Sequence, residues 1–178
     1  MSAPTRGLLD TSVLIATEEG RLVDTHALPD EVFISVVTIA ELQAGVLAAA
    51  DTATRARRLA TLDAVAGLEA LPIDVVAAGH WATLRVRLAE EGCRINVNDL
   101  WIAAVAAAND LPIVTADSDF DPLAAIGGPR VIRIAPIGPV NGANGPEVID
   151  LLASNEADES FAEDVMAARD AVFREDPV

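Results

Sequence analysis

The chain has 178 residues, of which 52% are hydrophobic, and it carries a formal charge of −16 with no lysine. This length and composition suit one globular domain with a short appendage and exclude a disordered chain. The negative charge excludes a generic binder of polyanions, so any contact with nucleic acid must be local.

The sequence shows no signal for a membrane or for export. No apolar run reaches the roughly 18 residues that span a bilayer. The first residues lead straight into a strand-like run and lack the apolar core of a signal peptide. A single cysteine, Cys93, excludes an internal disulfide framework and permits a reducing compartment. We therefore expect a cytoplasmic protein with no membrane contact.

Strand and helix patterns alternate through the first three quarters of the chain. Buried-strand patterns occur at 6–10, 31–37, 69–74, 112–116 and 130–134. Helical spacing of apolar residues occurs at 38–50, 52–68, 75–92 and 98–110. This alternation predicts an α/β fold with a central parallel sheet that helices cover on both faces.

The pattern breaks at residues 135–145, where seven of eleven residues are Gly, Pro or Asn. Such a composition predicts a linker. Two short helical patterns follow, one beginning at Pro146 and one behind the Ser160–Glu163 capping box. The predicted organisation is a domain over 1–134, a linker over 135–145 and an acidic helical tail over 146–178.

Aspartates are concentrated after the apolar run LPIV. Asp117, Asp119 and Asp121 lie within five residues, just where a buried strand is predicted to end. Two unit charges about 4 Å apart repel by on the order of 4 kcal/mol near a protein surface. So dense a negative charge at a strand end favours a site that binds a cation.

Three further acids are predicted near the same edge of the sheet. Asp10 closes the first strand, Glu41 lies in the first helical turn after the second strand, and Asp99 opens the apolar helix. Sites in open α/β sheets form beyond the carboxyl ends of the strands. Carboxylates gathered there raise one another's pKa unless a cation neutralises them, and Mg²⁺ prefers such oxygen ligands.

Each acid also has a structural alternative. Asp10 could cap a helix over 12–19, and Glu41 fits a capping box with Thr38. Asp99, or Asn98 beside it, could be a helix N-cap, and the aspartates after LPIV could form an ordinary acidic turn. The metal-site hypothesis depends on the acids converging.

Four motifs occur in order over residues 6–134: LLDTSVLIA, SVVTIAELQAGV, NDLWIAAVAAANDLPIVTADSDFD and VIRI. With these motifs the chain resembles a PIN-domain ribonuclease of the VapC toxin type. The resemblance implies a PIN-like α/β/α sandwich and a homodimer. It also implies an Mg²⁺- or Mn²⁺-dependent endoribonuclease that cleaves structured RNA, tRNA or rRNA, by attack of a metal-activated water.

The resemblance also implies roles for individual residues. The catalytic, metal-binding acids would be Asp10, Glu41, Asp99 and Asp117, with Asp119 as a fifth ligand. The hydroxyls of Thr11, Ser12 and Thr115 would orient ligands or water.

Two groups of arginines could hold the RNA phosphates, for which the guanidinium fork is suited. They are Arg55, Arg57 and Arg58 on one predicted helix, and Arg85 and Arg87 on another. The alternative for each is a solvated face paired with nearby acids.

The tail carries 10 acidic residues against two arginines from residue 136 onward. The segment NEADESFAEDVMAARDAVFREDPV resembles the acidic peptide with which an antitoxin wraps its toxin. That resemblance implies an inhibitory role for Arg169 or Arg174, inserted among the acids of this chain or of a partner. Alternatives are a helical lid, a dimerisation arm or a disordered acidic tail.

Two other functions compete with a nuclease. A signalling receiver also gathers aspartates at strand ends, but it normally needs a lysine, and this chain has none. A catalytically silent PIN-like binding or regulatory module, locked by its tail, would keep every acid. The sequence leaves that second alternative open.

Overall fold

A computed structural model describes residues 5–19, 21–23, 27–134 and 136–139. The predicted tail over 146–178, with Arg169 and Arg174, lies outside these described residues. Within them, no helix has both the length and the apolar character needed to cross a membrane.

The described elements alternate as the sequence predicts. The strands are β1 (Arg6–Leu9), β2 (Arg21–Val23), β3 (Glu31–Ser35), β4 (Ala70–Leu71), β5 (Ile113–Thr115), β6 (Val131–Arg133) and β7 (Pro136–Pro139). The helices are α1 (Thr11–Glu18), α2 (Val36–Leu47), α3 (Thr52–Ala64), α4 (Val75–Glu90), α5 (Val97–Ala108) and α6 (Pro122–Ala125).

Five strands form one parallel sheet in the order β4-β3-β1-β5-β6. The chain starts in the middle, at β1, builds outward through β3 and β4, and then returns to the other side of β1 with β5 and β6. The direction of winding therefore reverses between β1 and β5. In open α/β sheets, the crevice at this switch point is where ligands bind.

Side chains of the central strands alternate between two apolar cores, one on each face of the sheet. Leu8 and Ile113 pack into the core beneath α4 and α5. Their neighbours Leu9 and Val114 pack into the core beneath α1 and α3. All four are fully buried. Because successive strand residues point to opposite faces, a strand with both faces covered is apolar throughout. The predicted α/β/α sandwich is confirmed.

Helix α2 begins earlier than the sequence predicts. The Ser35 hydroxyl accepts the backbone N–H of Thr38 at 3.1 Å, so Ser35 is the N-cap and the helix starts at Val36. The proposed Thr38–Glu41 capping box is therefore wrong, and Glu41 lies in the second helical turn. Val36 and Val37 are β-branched, so the sequence favours a strand there, but the Ser35 cap ends the strand before them.

Two short strands are not apparent in the sequence. Strand β2 pairs antiparallel with β7, and this pair forms a separate two-stranded sheet. Strand β7 occupies 136–139, inside the segment that composition assigned to a linker, so the linker prediction is wrong for those four residues. Strands of three or four residues are too short to show a periodicity, and β7 also contains Pro and Gly. Residues 140–145 lie outside the description.

Gly7 in β1 offers a test of the packing. A Cβ at this position would lie 2.8 Å from Pro29 Cγ and 2.9 Å from Val114 Cγ2. We expect Gly7→Ala to lower the free energy of unfolding by about 1–3 kcal/mol, the usual cost of overpacking. Chemical denaturation measures this change. In the control Gly79→Ala, the new Cβ meets nothing within 4 Å on helix α4, so stability should rise by about 0.5–1 kcal/mol. Equal effects at the two positions would contradict the packing described here.

Candidate functional site

The switch point of the sheet places two predicted acids side by side. Asp10 directly follows β1, and its backbone N–H donates to the Val114 carbonyl in β5 at 2.8 Å. Asp117 lies two residues beyond the end of β5. Residues separated by more than 100 positions therefore meet because their strands are neighbours in the sheet.

Asp10 is both a helix cap and a buried carboxylate. Its Oδ2 accepts the backbone N–H of Ser12 at 3.2 Å, which makes it the N-cap of α1. The Ser12 hydroxyl donates to the same oxygen at 2.5 Å. Burial raises the pKa of the Asp10 carboxyl, the bonds from Ser12 and Thr115 oppose this rise, and the charge of Asp117 adds to it. The capping alternative and the site hypothesis are thus both compatible with the structure.

The Thr115 hydroxyl lies between two carboxylates. Its Oγ1 is 3.1 Å from Asp10 Oδ2 and 3.3 Å from Asp117 Oδ1. A hydroxyl has one proton, so Thr115 can donate to only one of these carboxylates at a time. The Ser12 hydroxyl accepts the Ala116 N–H at 3.0 Å, which leaves its proton for Asp10. Ser12 and Thr115 thus tie β1, α1 and β5 together beside the acids.

Glu41 is held by a donor on each of its two oxygens. The Thr11 hydroxyl donates to Oε2 at 2.5 Å, and the Asn98 side-chain amide donates to Oε1 at 2.8 Å. Asn98 therefore joins the site, whereas the sequence suggested it only as a possible helix cap. Its position immediately before Asp99, at the start of an apolar helix, was the available signal.

Asp99 lies in the first turn of α5, because the N-cap of that helix is Asn96. Neither Asn98 nor Asp99 is the cap. The pKa of the Asp99 carboxyl is raised to about 7. Burial is the largest cause, and the charges of Asp10, Asp119, Glu41 and Asp117, in that order, add to it. The other four predicted acids therefore all act on Asp99 through a shared field.

Asp117 and Asp119 occupy the loop after β5. The Asp119 backbone N–H donates to Asp117 Oδ1 at 3.0 Å, which fixes the Asp117 carboxylate in a tight turn. Asp119 itself is exposed, whereas Asp117 is half-buried. The next acid, Asp121, pairs with Arg133 and does not enter the site.

A cavity of about 370 Å³ opens beside the acids. Four of the five predicted acids line it: Asp10, Glu41, Asp99 and Asp117. Arg58 is the one cationic side chain that lines it among the residues the structure describes. The Arg58 guanidinium donates to the Gly45 carbonyl at 2.5 Å and lies 3.9 Å from Glu18 Oε1.

The donor set of this cavity fits a hard divalent cation. Its carboxylate and hydroxyl oxygens are the ligands that Mg²⁺ and Mn²⁺ prefer. Across the described residues, however, no three acidic, His or Cys side chains come together closely enough to hold one ion. Because Mg²⁺ commonly takes only one or two carboxylates and keeps several waters, the spacing still suits that ion.

The five predicted RNA-binding arginines do not form one patch. Arg55, Arg57 and Arg58 lie on α3, whose neighbours Leu62 and Val65 pack on one face of the sheet. Arg85 and Arg87 lie on α4, which packs on the other face. The guanidinium carbon of Arg85 lies 5.7 Å from the centroid of the Trp81 ring, and that ring stacks on Trp101. Only the α3 group is continuous with the acidic cavity, through Arg58.

The raised pKa of Asp99 has a consequence for stability. A carboxyl whose folded pKa is about 7, against an ordinary value of 3.8, destabilises the fold progressively as pH rises between those values. Without metal, we expect Asp99→Asn to raise Tm at pH 8 by about 3 °C or more, which corresponds to about 1 kcal/mol in a domain of this size. The gain should shrink below pH 7 and vanish near pH 4. Thermal unfolding in EDTA at several pH values measures it.

Asp63→Asn is the control, because Asp63 is an exposed acid on α3 that does not line the cavity. Its effect on Tm should be small at every pH. A gain for Asp99→Asn that does not vary with pH would contradict the shared field.

Comparison with known families and proteins agrees with this geometry. The PIN domain family matches residues 7–126. Ribonuclease VapC5 of Mycobacterium tuberculosis is 55% identical over 133 residues, which cover 75% of this chain and 98% of that protein. Ribonuclease VapC4 of the same organism is 40% identical over 115 residues, covering 65% of this chain and 88% of that protein.

Solved structures show the same fold. The crystal structure of VapBC-5 from Mycobacterium tuberculosis, a member of the VapBC family of toxin-antitoxin systems, has a TM-score of 0.68 and 53% identity, covering 73% of this chain and 99% of that one. The structure of DNA-bound VapBC from Salmonella typhimurium has a TM-score of 0.60 and 26% identity, and the match covers 71% of this chain and 96% of that one. This chain therefore belongs to the PIN-domain family and, within it, to the VapC type.

Proposed function

We propose that this chain is a divalent-metal-dependent endoribonuclease that serves as the toxin of a toxin–antitoxin pair. Its substrate would be structured RNA, tRNA or rRNA. The observation that carries the proposal is the acid-lined cavity at the switch point between β1 and β5. Relatives that span nearly the whole domain and are named ribonucleases support it.

One or two of Asp10, Glu41, Asp99 and Asp117 would bind the ion directly and the others would bind it through water, with Asp119 at the rim. Ser12 and Thr115 orient Asp10, while Thr11 and Asn98 orient Glu41. These donors limit the rotation of both carboxylates, so less conformational entropy is lost when they bind a ligand. When bound, Mg²⁺ or Mn²⁺ would activate water and stabilise the negative charge that develops on the phosphoryl group.

Arg58 would position the RNA at this cavity. The acids repel a phosphodiester, so a cation is needed at the rim to offset that repulsion. The Gly45 carbonyl near the end of α2 anchors one N–H of Arg58 and leaves other donors of the guanidinium for a phosphate. Arg55 and Arg57, exposed on the same helix, would extend the contact along the strand.

The decisive experiment compares cleavage of total tRNA and rRNA by wild type and Asp10→Asn. Asparagine caps helices as well as aspartate does, so α1 should remain intact. We expect cleavage to need added Mn²⁺ or Mg²⁺, to stop in EDTA, and to fall about 100-fold or more in Asp10→Asn. Gel analysis of the products measures the rate.

Asp74→Asn is a matched control. Asp74 is also an N-cap aspartate, accepting the Ala77 N–H at 2.8 Å, but it does not line the acidic cavity. Its cleavage rate should equal that of wild type. RNA binding without metal-dependent cleavage would reject the nuclease and favour the silent PIN-like module instead.

The partners in this proposal are an antitoxin and a second copy of the chain. The similar solved structures are named as VapBC complexes, which supports an antitoxin partner. The chain's own segment 146–178 would act as an antitoxin-like inhibitor, with Arg169 or Arg174 among the acids. The opposite charges of these arginines and of the cavity support this role.

Inhibition by the tail predicts that its removal activates the enzyme. The truncation should delete 141–178, because residues 136–139 pair with β2 and belong to the folded domain. We expect cleavage of the RNA pool to rise about 10-fold or more. The full-length variant Arg169→Gln/Arg174→Gln should rise as well, because only the inserted charges are lost. Unchanged or lower activity in both proteins would contradict an inhibitory tail.

A further inference from the structure

A second cavity, of about 630 Å³, lies at the opposite edge of the sheet from the acids. Pro112, just before β5, and Arg130, just before β6, line it, so it faces the amino ends of these strands. The three residues of β5 separate it from the acidic loop by roughly 10 Å along the strand. It is therefore distinct from the proposed cleavage site.

This cavity gathers basic side chains on an acidic protein. His80, Arg87 and Arg130 line it, against a single acid, Asp110. His80 and Arg87 are seven residues apart on α4 and so share one face of the helix. Arg87, which the sequence suggested as an RNA contact, thus faces this cavity and does not line the acidic one.

The two arginines are not neutralised by the protein. The Arg87 guanidinium donates only to the Ile126 carbonyl, at 3.3 Å, which positions it and leaves most of its N–H groups unused. The Arg130 side chain makes no hydrogen bond or ion pair within the described part of the chain. Asp110 forms no ion pair with either arginine. Two arginine side chains without an ion pair face this cavity, so the cavity favours the binding of an anion.

The walls of the cavity are preformed. The Gly128 N–H donates to the Leu123 carbonyl at 2.9 Å, which closes the end of α6. Gly127 has a φ of +63°, a backbone conformation that glycine adopts readily. A Cβ on Gly128 would lie 3.0 Å from Leu123 Cβ, so the loop packs tightly against α6. A rigid wall reduces the entropy lost on binding.

We propose that this second cavity binds a phosphate group, carried either by a mononucleotide or by an RNA strand. Guanidinium groups pair with phosphate oxygens through two parallel hydrogen bonds, so two arginines that face one cavity suit a phosphate group. The volume falls within the range of small-molecule sites and would accommodate a nucleotide. The cavity does not depend on the nuclease activity proposed above.

The test uses the full chain in EDTA, so that neither cleavage nor metal-bound phosphate contributes. Inorganic phosphate, 5′-AMP and a single-stranded RNA of about 12 nucleotides are the three probes. Nitrogen–proton NMR signals of the arginine side chains follow the first two, and fluorescence anisotropy across several salt concentrations follows the RNA. Wild type is compared with Arg87→Gln/Arg130→Gln, in which both exposed charges are removed.

The matched control is Arg6→Gln/Arg133→Gln. It removes the same formal charge, but from exposed arginines that are paired with Glu31 and Asp121. Dispersion of the backbone NMR signals verifies that each variant is folded.

Phosphate or AMP affinity that falls about 10-fold or more in the cavity variant alone would support a small-ligand site. A loss of RNA affinity alone, with a salt slope shallower by about 1.4, would support an RNA strand as the source, because each lost phosphate contact lowers the slope by about 0.7. Affinities for all three probes that match those of the control variant would overturn the proposal, whether or not the chain cleaves RNA.

Discussion

Mutual repulsion among carboxylates at the β1–β5 switch point is the constraint on which this molecule's site depends. The topology brings Asp10 and Asp117 together, and helices α2 and α5 add Glu41 and Asp99. The chain holds the acids in place with hydroxyl and amide donors. The pKa of Asp99 is raised to about 7, first by burial and then by the charges of the other four acids. An ion-binding site needs such uncompensated charge, because acids fully neutralised by arginines would have no affinity for a metal.

The surrounding fold makes this arrangement tolerable. Two apolar cores clamp the sheet from both sides, and strands β1 and β5 contribute fully buried side chains to each core. Burial of this apolar area offsets the electrostatic cost at one edge. The donors Ser12 and Thr115 also do structural work, since they join β1, α1 and β5 through Asp10 and the Ala116 N–H. The candidate site and the fold therefore share the same few hydrogen bonds.

Two clusters of opposite charge lie at opposite edges of the sheet. The acids collect at the carboxyl edge of the sheet, and His80, Arg87 and Arg130 collect at the amino edge. Arg58 is a cation placed at the acidic cavity by the Gly45 carbonyl, and Arg133, at the end of β6, pairs with Asp121. This polarity explains how a chain with a net charge of −16 could still contact a polyanion, since local fields decide binding within a Debye length of about 10 Å.

The sequence by itself determined the alternation of strands and helices, and with it the α/β/α sandwich, because buried parallel strands are apolar throughout and amphipathic helices repeat every 3.6 residues. It also indicated the five acids, since charge at the ends of apolar strands is conspicuous. Tertiary structure alone decided the rest. Asn98 donates to Glu41, β7 pairs with β2, and the arginines lie on opposite faces of the sheet. Each of these features depends on residues that are far apart in the chain. Such contacts depend on which strands become neighbours, and no local pattern of residues encodes that order.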